Sequence, residues 1–240
     1  MALCPLLYAK RAIVPRPSEL MLHIVSTPIG NLKDITLRAL ETLRSVDLIA
    51  AEDTRHTKIL TQHFQITTPL TSYFEHNQFK KGDFLLEKLK QGQKIALVTD
   101  AGTPGISDPG YHLIKLAQEN DIPVTVVPGP TALIAALSLS GLPAHSFIFE
   151  GFLPVKSQAR RNKLKEFKKE SRTIIFYESP HRLLKTLKDI QDVLDDPTVV
   201  LVRELTKKFE EVKKASASEL ISYFSKTRPR GEFVVLINLS

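Results

Sequence analysis

The 240 residues contain no tryptophan, two methionines and a single cysteine. One thiol, Cys4, cannot close an internal disulfide, and seven scattered histidines with no second cysteine offer no Cys/His spacing for a metal. A secreted disulfide scaffold and a structural zinc module are both excluded, and no metal site is expected. Long apolar runs are also missing. Segments such as VTVV at 124–127 and VVLV at 199–202 are strand-sized, far short of the roughly 18 residues that span a bilayer. A soluble chain with no membrane association is expected. The first ten residues, MALCPLLYAK, place apolar residues before the cations, the reverse of a secretory signal, and lack a small-residue cleavage site. The expected location is the cytoplasm.

A composition of 42% hydrophobic and 25% charged residues rules out a disordered tail and fits one large or two small globular domains. Residues 1–20 carry Pro5, Pro15 and Pro17 and no period of 2 or 3.6, which predicts a flexible N-terminal extension ahead of Met21. Charge is distributed unevenly. Residues 1–150 hold fourteen cations and fourteen anions, whereas 151–240 hold nineteen against twelve, so the whole net charge of +7 lies in the second part. Within it, Lys156 to Arg172 carries eight cations and only Glu166 and Glu170. Such a run is either a solvated helix face or a surface that contacts phosphates, where each cation displaces a counterion.

Short β-branched runs alternate with longer amphipathic stretches, a pattern that predicts parallel sheets flanked by helices. The expected strands are 22–26, 47–51, 95–98, 123–127, 146–150, 173–177, 198–203 and 233–238. The expected helices are 36–45, 55–63, 78–91, 109–119, 131–138, 157–169, 180–193 and 216–225. The segment LSGLPAH at 139–145 reads as a linker, which predicts two α/β domains, 21–139 and 140–240.

Three of the ten glycines, Gly102, Gly105 and Gly110, fall within DAGTPGISDPG at 100–110, directly after the strand IALVT. Glycines let a ligand approach the backbone, and a loop at the carboxyl end of a parallel strand is where open α/β sheets bind small molecules. The dinucleotide pattern G-x-G-x-x-G, the P-loop Lys-Ser/Thr and the G-x-S-x-G elbow are all absent. Two further loops, STPIGN at 26–31 and PGPTA at 128–132, follow expected strands. If those strands are parallel, the three loops gather at one sheet edge; otherwise each is an ordinary turn.

Taken in order, STPIGNLKDIT, AAEDTRHT, DAGTPGISDPGY, VPGPTALIAAL, EGFLP, IFYESPHRL and RELTKKFE resemble the ribosomal small-subunit methyltransferase I family of the tetrapyrrole-methylase superfamily. The resemblance runs from about residue 22 to 238. It implies two α/β domains with S-adenosyl-L-methionine (SAM) in the cleft between them, a homodimer, and methylation of the ribose 2′-oxygen of cytidine 1402 in 16S rRNA of the small ribosomal subunit.

Carried over by position, the resemblance assigns SAM binding to Pro28, Ile29, Asp100, Gly102, Thr103, Gly105, Ile106, Thr131 and Ala132. From the second domain it adds Tyr177, which ends an apolar run and has a core role as its alternative, and Leu205. A ribose hydroxyl is a poor nucleophile while protonated, so a base or a cation near the acceptor would assist. Candidates are Asp53 with Arg55, presented together by one loop, and Glu178 and Glu204. For Asp53 the alternatives are a helix cap and an internal lock with Arg55. Lys156, Arg160, Arg161, Lys163, Arg182 and Lys207 are the expected RNA contacts. Two other functions compete. Methylation of a small molecule such as a tetrapyrrole would have no use for the basic stretch, and a non-catalytic RNA-binding assembly factor would have no use for an intact DAGTPG loop.

Overall fold

The computed structural model describes residues 21–240. The extension expected at 1–20 lies outside the described residues. Two five-stranded sheets are present, joined in sequence by one helix.

The first sheet is built from β1 (Met21–Val25), β2 (Leu48–Ala51), β3 (Leu70–Ser72), β4 (Lys94–Val98) and β5 (Val124–Val127), in the order β3-β2-β4-β1-β5 with every pairing parallel. Helices α1 (Leu37–Ser45), α2 (Thr54–His63), α3 (Gln78–Lys90) and α4 (Tyr111–Glu119) form the crossovers. They cover both faces, which is why IALV in β4 is apolar at every position instead of alternating. Leu97 packs against Leu85 and Leu113 on one face, and Ala96 and Val98 pack against Leu43 and Leu60 on the other.

The second sheet contains β6 (Phe147–Phe152), β7 (Thr173–Glu178), β8 (Thr198–Arg203), β9 (Glu211–Ser216) and β10 (Phe233–Ile237), in the order β6-β7-β10-β8-β9. Only β6 and β7 are parallel. β10 runs antiparallel to both β7 and β8, and β9 antiparallel to β8. The expected parallel arrangement therefore describes the first sheet, and the second is mixed. Alternate residues face opposite ways. Ile174, Phe176, Leu201 and Val235 face α6 (Ser157–Phe167), α7 (Leu183–Leu194) and α8 (Ala217–Lys226), while Ile175, Val200, Val202, Val234 and Leu236 face α5 (Ala132–Ser140).

Helix α5 follows the last strand of the first sheet and precedes the expected boundary at 139/140, yet it packs on the second sheet through Leu133, Ala136 and Leu137. Every residue it contains is Ala, Leu, Ile or Ser. Gly141, at φ +63, ends it in the left-handed conformation that a helix C-terminus favours. Two strands were not foreseen, β3 and β9. Both are edges, one only three residues long and the other of sequence EVKKAS.

Leu97 is fully buried at the centre of the first sheet, so Leu97→Ala should cost about 2–5 kcal/mol in urea unfolding. Leu37, 79% exposed on α1, should tolerate alanine within about 0.5 kcal/mol.

Candidate functional site

Because β1 lies between β4 and β5 with all three parallel, their loops leave at the same edge. Backbone bonds then draw them together. Thr27 N–H donates to the Gly102 carbonyl at 2.8 Å and Gly102 N–H returns a bond to the Thr27 carbonyl at 3.1 Å. The Ser26 and Thr103 hydroxyls bond at 2.8 Å, and the Thr27 hydroxyl donates to the Thr99 carbonyl at 3.0 Å. Gly102 sits at φ +88, and a Cβ there would lie 3.6 Å from Ile29 Cγ2 and 3.8 Å from the Pro130 carbonyl, so it touches both other loops.

Against this junction lies a cavity closed on its far side by the second sheet. Ile29, Gly102, Thr103, Ile106, Thr131 and Ala132 line it from the loops, and Tyr177, Val202, Leu205 and Val234 from the sheet. Eight of the eleven residues expected to hold a cofactor are thus brought together. Pro28 and Asp100 instead line a neighbouring depression with His56, and Gly105, at φ +84, shapes its loop without lining the cavity. Tyr177 packs within the second sheet and borders the cavity at once. It stacks edge-on against Phe149 and Phe152, centroids 5.0 and 5.7 Å away, and still lines the cavity. Burial pushes its phenol pKa up, opposed by a hydrogen bond with Thr131.

The four expected catalytic residues are placed differently. Asp53 caps α2, accepting from Arg55 N at 2.8 Å, and its carboxylate is gripped by the Arg55 guanidinium at 2.6 Å. Both alternatives, cap and internal lock, are realised at once. Hydrogen bonds from Arg55 hold the Asp53 carboxyl down at about 2, too weak a base for a hydroxyl at neutral pH, and neither residue lines the cavity. Glu178 is buried and accepts from Ser179 N at 2.8 Å and from the Thr186 hydroxyl at 2.5 Å, with Arg182 Nε 3.3 Å away, so it anchors the start of α7. Glu204, at φ +51, accepts from Glu232 N at 3.1 Å and Lys207 Nζ at 3.2 Å and closes the end of β8 against β10. All three carboxylates are tied to structural partners.

Glu178 still borders the cavity, and two acids outside those four stand at the same loop edge. Glu52, at the end of β2, accepts from the Thr99 hydroxyl at 2.7 Å and from Asp100 N at 3.3 Å. Asp108 lines the cavity. Its carboxyl is pushed up to about 7, first by burial and then by the negative charges of Glu52 and Asp100, against the opposing effect of a hydrogen bond with Thr99. Its only signal in the sequence is its place in the glycine-rich loop.

The expected RNA contacts need correction. Arg160 is 3% exposed; its guanidinium meets Asp189 at 2.6 Å and the Val155 carbonyl at 3.1 Å, so it is a core ion pair and not a phosphate ligand. Arg161 meets Asp189 at 2.9 Å and Asp192 at 3.2 Å, and Lys163 meets Glu150 at 3.0 Å and Glu166 at 3.4 Å. Arg182 donates to the Leu153 carbonyl at 2.7 Å, and Lys207 meets Glu232 at 2.9 Å. The linear count of eight cations concealed acids brought in by α7 and by β6. Lys156 alone of the six is exposed and makes no ion pair among the described residues.

Residues 21–221 match the family model for tetrapyrrole (corrin/porphyrin) methylases. The chain is 54% identical to a ribosomal RNA small subunit methyltransferase I from Escherichia coli O157:H7, over 92% of this chain and 78% of that one. It is 51% identical to the protein of the same name from Thermotoga maritima, over 90% of this chain and 97% of that one. Among solved structures, a cobalt precorrin-4 methyltransferase superposes with a TM-score of 0.70 at 20% identity, covering 94% of this chain and 98% of that one. A diphthine synthase gives 0.71 at 15%, covering 91% and 89%.

Removing one partner of a buried ion pair leaves an uncompensated charge. Asp189→Ala, which strands Arg160, should therefore cost about 3–5 kcal/mol in denaturant unfolding. Charge reversal at Arg160 should reduce the yield of folded protein rather than selectively weaken RNA binding.

Proposed function

The chain belongs to the tetrapyrrole methylase family and is a ribosomal RNA methyltransferase, and from that premise we propose that it transfers the methyl group of SAM to the ribose 2′-oxygen of cytidine 1402 in 16S rRNA. The observation that carries this reading is the cavity in which three loops of a parallel sheet face the inner surface of the second sheet.

The residues around that cavity fit SAM. Ile29, Ile106, Val202, Leu205 and Val234 offer apolar walls for an adenine ring. The Thr131 side chain makes no cap bond at the N-terminus of α5, and Thr131 and Ala132 line the cavity there, a setting that suits a carboxylate. Asp108 and its acidic neighbours suit a cation. When bound there, SAM supplies an activated methyl group on a positively charged sulfur. The work left to the protein is orientation. The Thr27–Gly102 bridge and the Ser26–Thr103 bond hold the loops in one geometry, and the second sheet excludes water from the opposite side.

On this reading the loops of 21–139 hold the cofactor and 140–240 contact the RNA, with α5 shared between them. The surface cations that make no ion pair among the described residues support a route for the strand past the end of β8. Lys208 and Arg230 are exposed there, beside the 64%-exposed ring of Phe209, and Arg230 and Phe209 line a depression with Arg203. An exposed aromatic flanked by cations suits a stacked base and its phosphates. Assembly as a homodimer is part of the same proposal, supported by the exposed rings of Phe79 and Tyr111 on α3 and α4; light scattering after size exclusion reads it. No described helix is long and apolar enough to cross a membrane. A cytoplasmic location, alongside ribosomal RNA, is part of the same proposal.

The test supplies purified protein with radiolabelled SAM and, in separate arms, naked 16S rRNA, assembled small subunits and porphyrin precursors. Label on the ribose of rRNA is expected; label on porphyrin alone, or on neither, overturns the proposal. Lys208→Ala and Arg230→Ala should each lower the slope of log affinity for rRNA against log salt by about 1 without changing SAM affinity.

A further inference from the structure

Three carboxyls line the cavity, and two are committed elsewhere. Glu178 is held by Ser179 N, Thr186 and Arg182, and Glu232, 79% exposed, is paired with Lys207. The third, Asp108, forms no ion pair among the described residues. Its loop is pinned between the two sheets. On one side Gly102 bridges to Thr27, and on the other Gly151 of β6, at φ +61, approaches so closely that an added Cβ would stand 3.0 Å from Ser107 Oγ. Tyr177 of β7 lines the same cavity as Asp108.

We propose that Asp108 accepts the proton of the ribose hydroxyl during methyl transfer, a role that rests on the reaction proposed above. As the oxygen–methyl bond forms and the sulfur–methyl bond breaks, the sulfonium becomes a neutral thioether. The hydroxyl proton passes to the Asp108 carboxylate and leaves to solvent after the product departs.

The surroundings suit that task. The groups that face Asp108 are Glu52 from β2, Asp100 from its own loop, and Tyr177 and Glu178 from β7; Asp53, Arg55 and His56 stand behind Asp100 at the start of α2. The Thr99 hydroxyl donates to Glu52 at 2.7 Å, and burial together with the charges of Glu52 and Asp100 holds the Asp108 carboxyl up. A carboxyl poised at about 7 is half charged near neutrality. A sulfonium in the same cavity favours the charged form, so cofactor binding itself prepares the base.

Two measurements test this. Calorimetry of SAM binding near pH 7, in buffers of different ionisation heat, should show proton release by the wild type and none by Asp108→Asn. Single-turnover methyl transfer between about pH 5.5 and 9 should rise with pH to a plateau, with an inflection at or below about 7 in the wild type. Asp108→Asn should fall by at least about 100-fold and lose the inflection. Since the fold raises this carboxyl's pKa above its unfolded value, stability present at low pH is lost as pH rises towards 7. Asp108→Asn should accordingly melt no lower than the wild type at pH 8. If it fails to fold, Asp108→Glu decides, and the proposal requires its inflection to move. Wild-type rate and inflection in Asp108→Asn, or an unmoved inflection in Asp108→Glu, overturns the assignment. A wild type that places no label on ribose overturns the reaction instead.

Discussion

Two hydrogen bonds between the backbones of Thr27 and Gly102 hold the loop after β1 against the loop after β4, and the site exists because of them. Parallel strands by themselves only send their loops out on one side; nothing in a β ladder makes the loops touch. Here Gly102 takes a left-handed conformation, turns both its N–H and its carbonyl to Thr27, and leaves no side chain between Ile29 and Pro130. The third loop closes the set, with Gly129 so near Ser26 that a Cβ would approach its Cβ to 2.9 Å. The wall facing the second sheet is therefore built where the three loops touch, from Ile29, Gly102, Thr103, Ile106, Thr131 and Ala132.

Carboxylates placed in different surroundings take different tasks in this molecule. Asp53, wrapped by Arg55 and an α2 N–H, is held near 2, while Asp108, half-buried beside other acids, stands near 7. The two lie on adjacent loops at the same sheet edge. Burial and neighbouring acids raise the one, and a cation with backbone donors lowers the other. Glu178 and Glu204 belong with Asp53: each spends its oxygens on local backbone and side-chain donors that fix a strand end. The acids nearest in type to a catalytic pair serve as fasteners, and the least anchored one faces the cavity.

Much of this was legible in the sequence. Regular alternation of β-branched runs with amphipathic stretches located all eight helices and eight of the ten strands, because helices and central strands carry strong apolar periods. β9 escaped because EVKKAS is an edge with only two apolar side chains, Ala215 and the 43%-exposed Val212, and β3 because three residues show no period. The reversal of β10 was invisible for another reason: strand direction depends on connections in space, and FVVLI reads the same either way. The loops of the site stood out through glycine and proline. The fate of the α6 cations did not, since their acids arrive from α7, some thirty residues later. Asp108 was hidden likewise, its chemistry being set by burial in the fold and by Glu52 from the end of β2.

Helix α5 has a consequence for how the chain is made. It is complete when Ser140 has been added, but the surface it packs on includes Leu236 and is finished only with β10 at Ile237. At roughly 5–20 residues per second, synthesis of the intervening segment takes on the order of 5–20 s. For that interval the first sheet has every strand it needs, while ALIAALSLS waits with its apolar side uncovered. The half-made protein thus presents a short greasy helix at the ribosome exit, beside the edge where the three loops meet. The cavity cannot form until the last strand is in place, because Val234 of β10 is part of its wall.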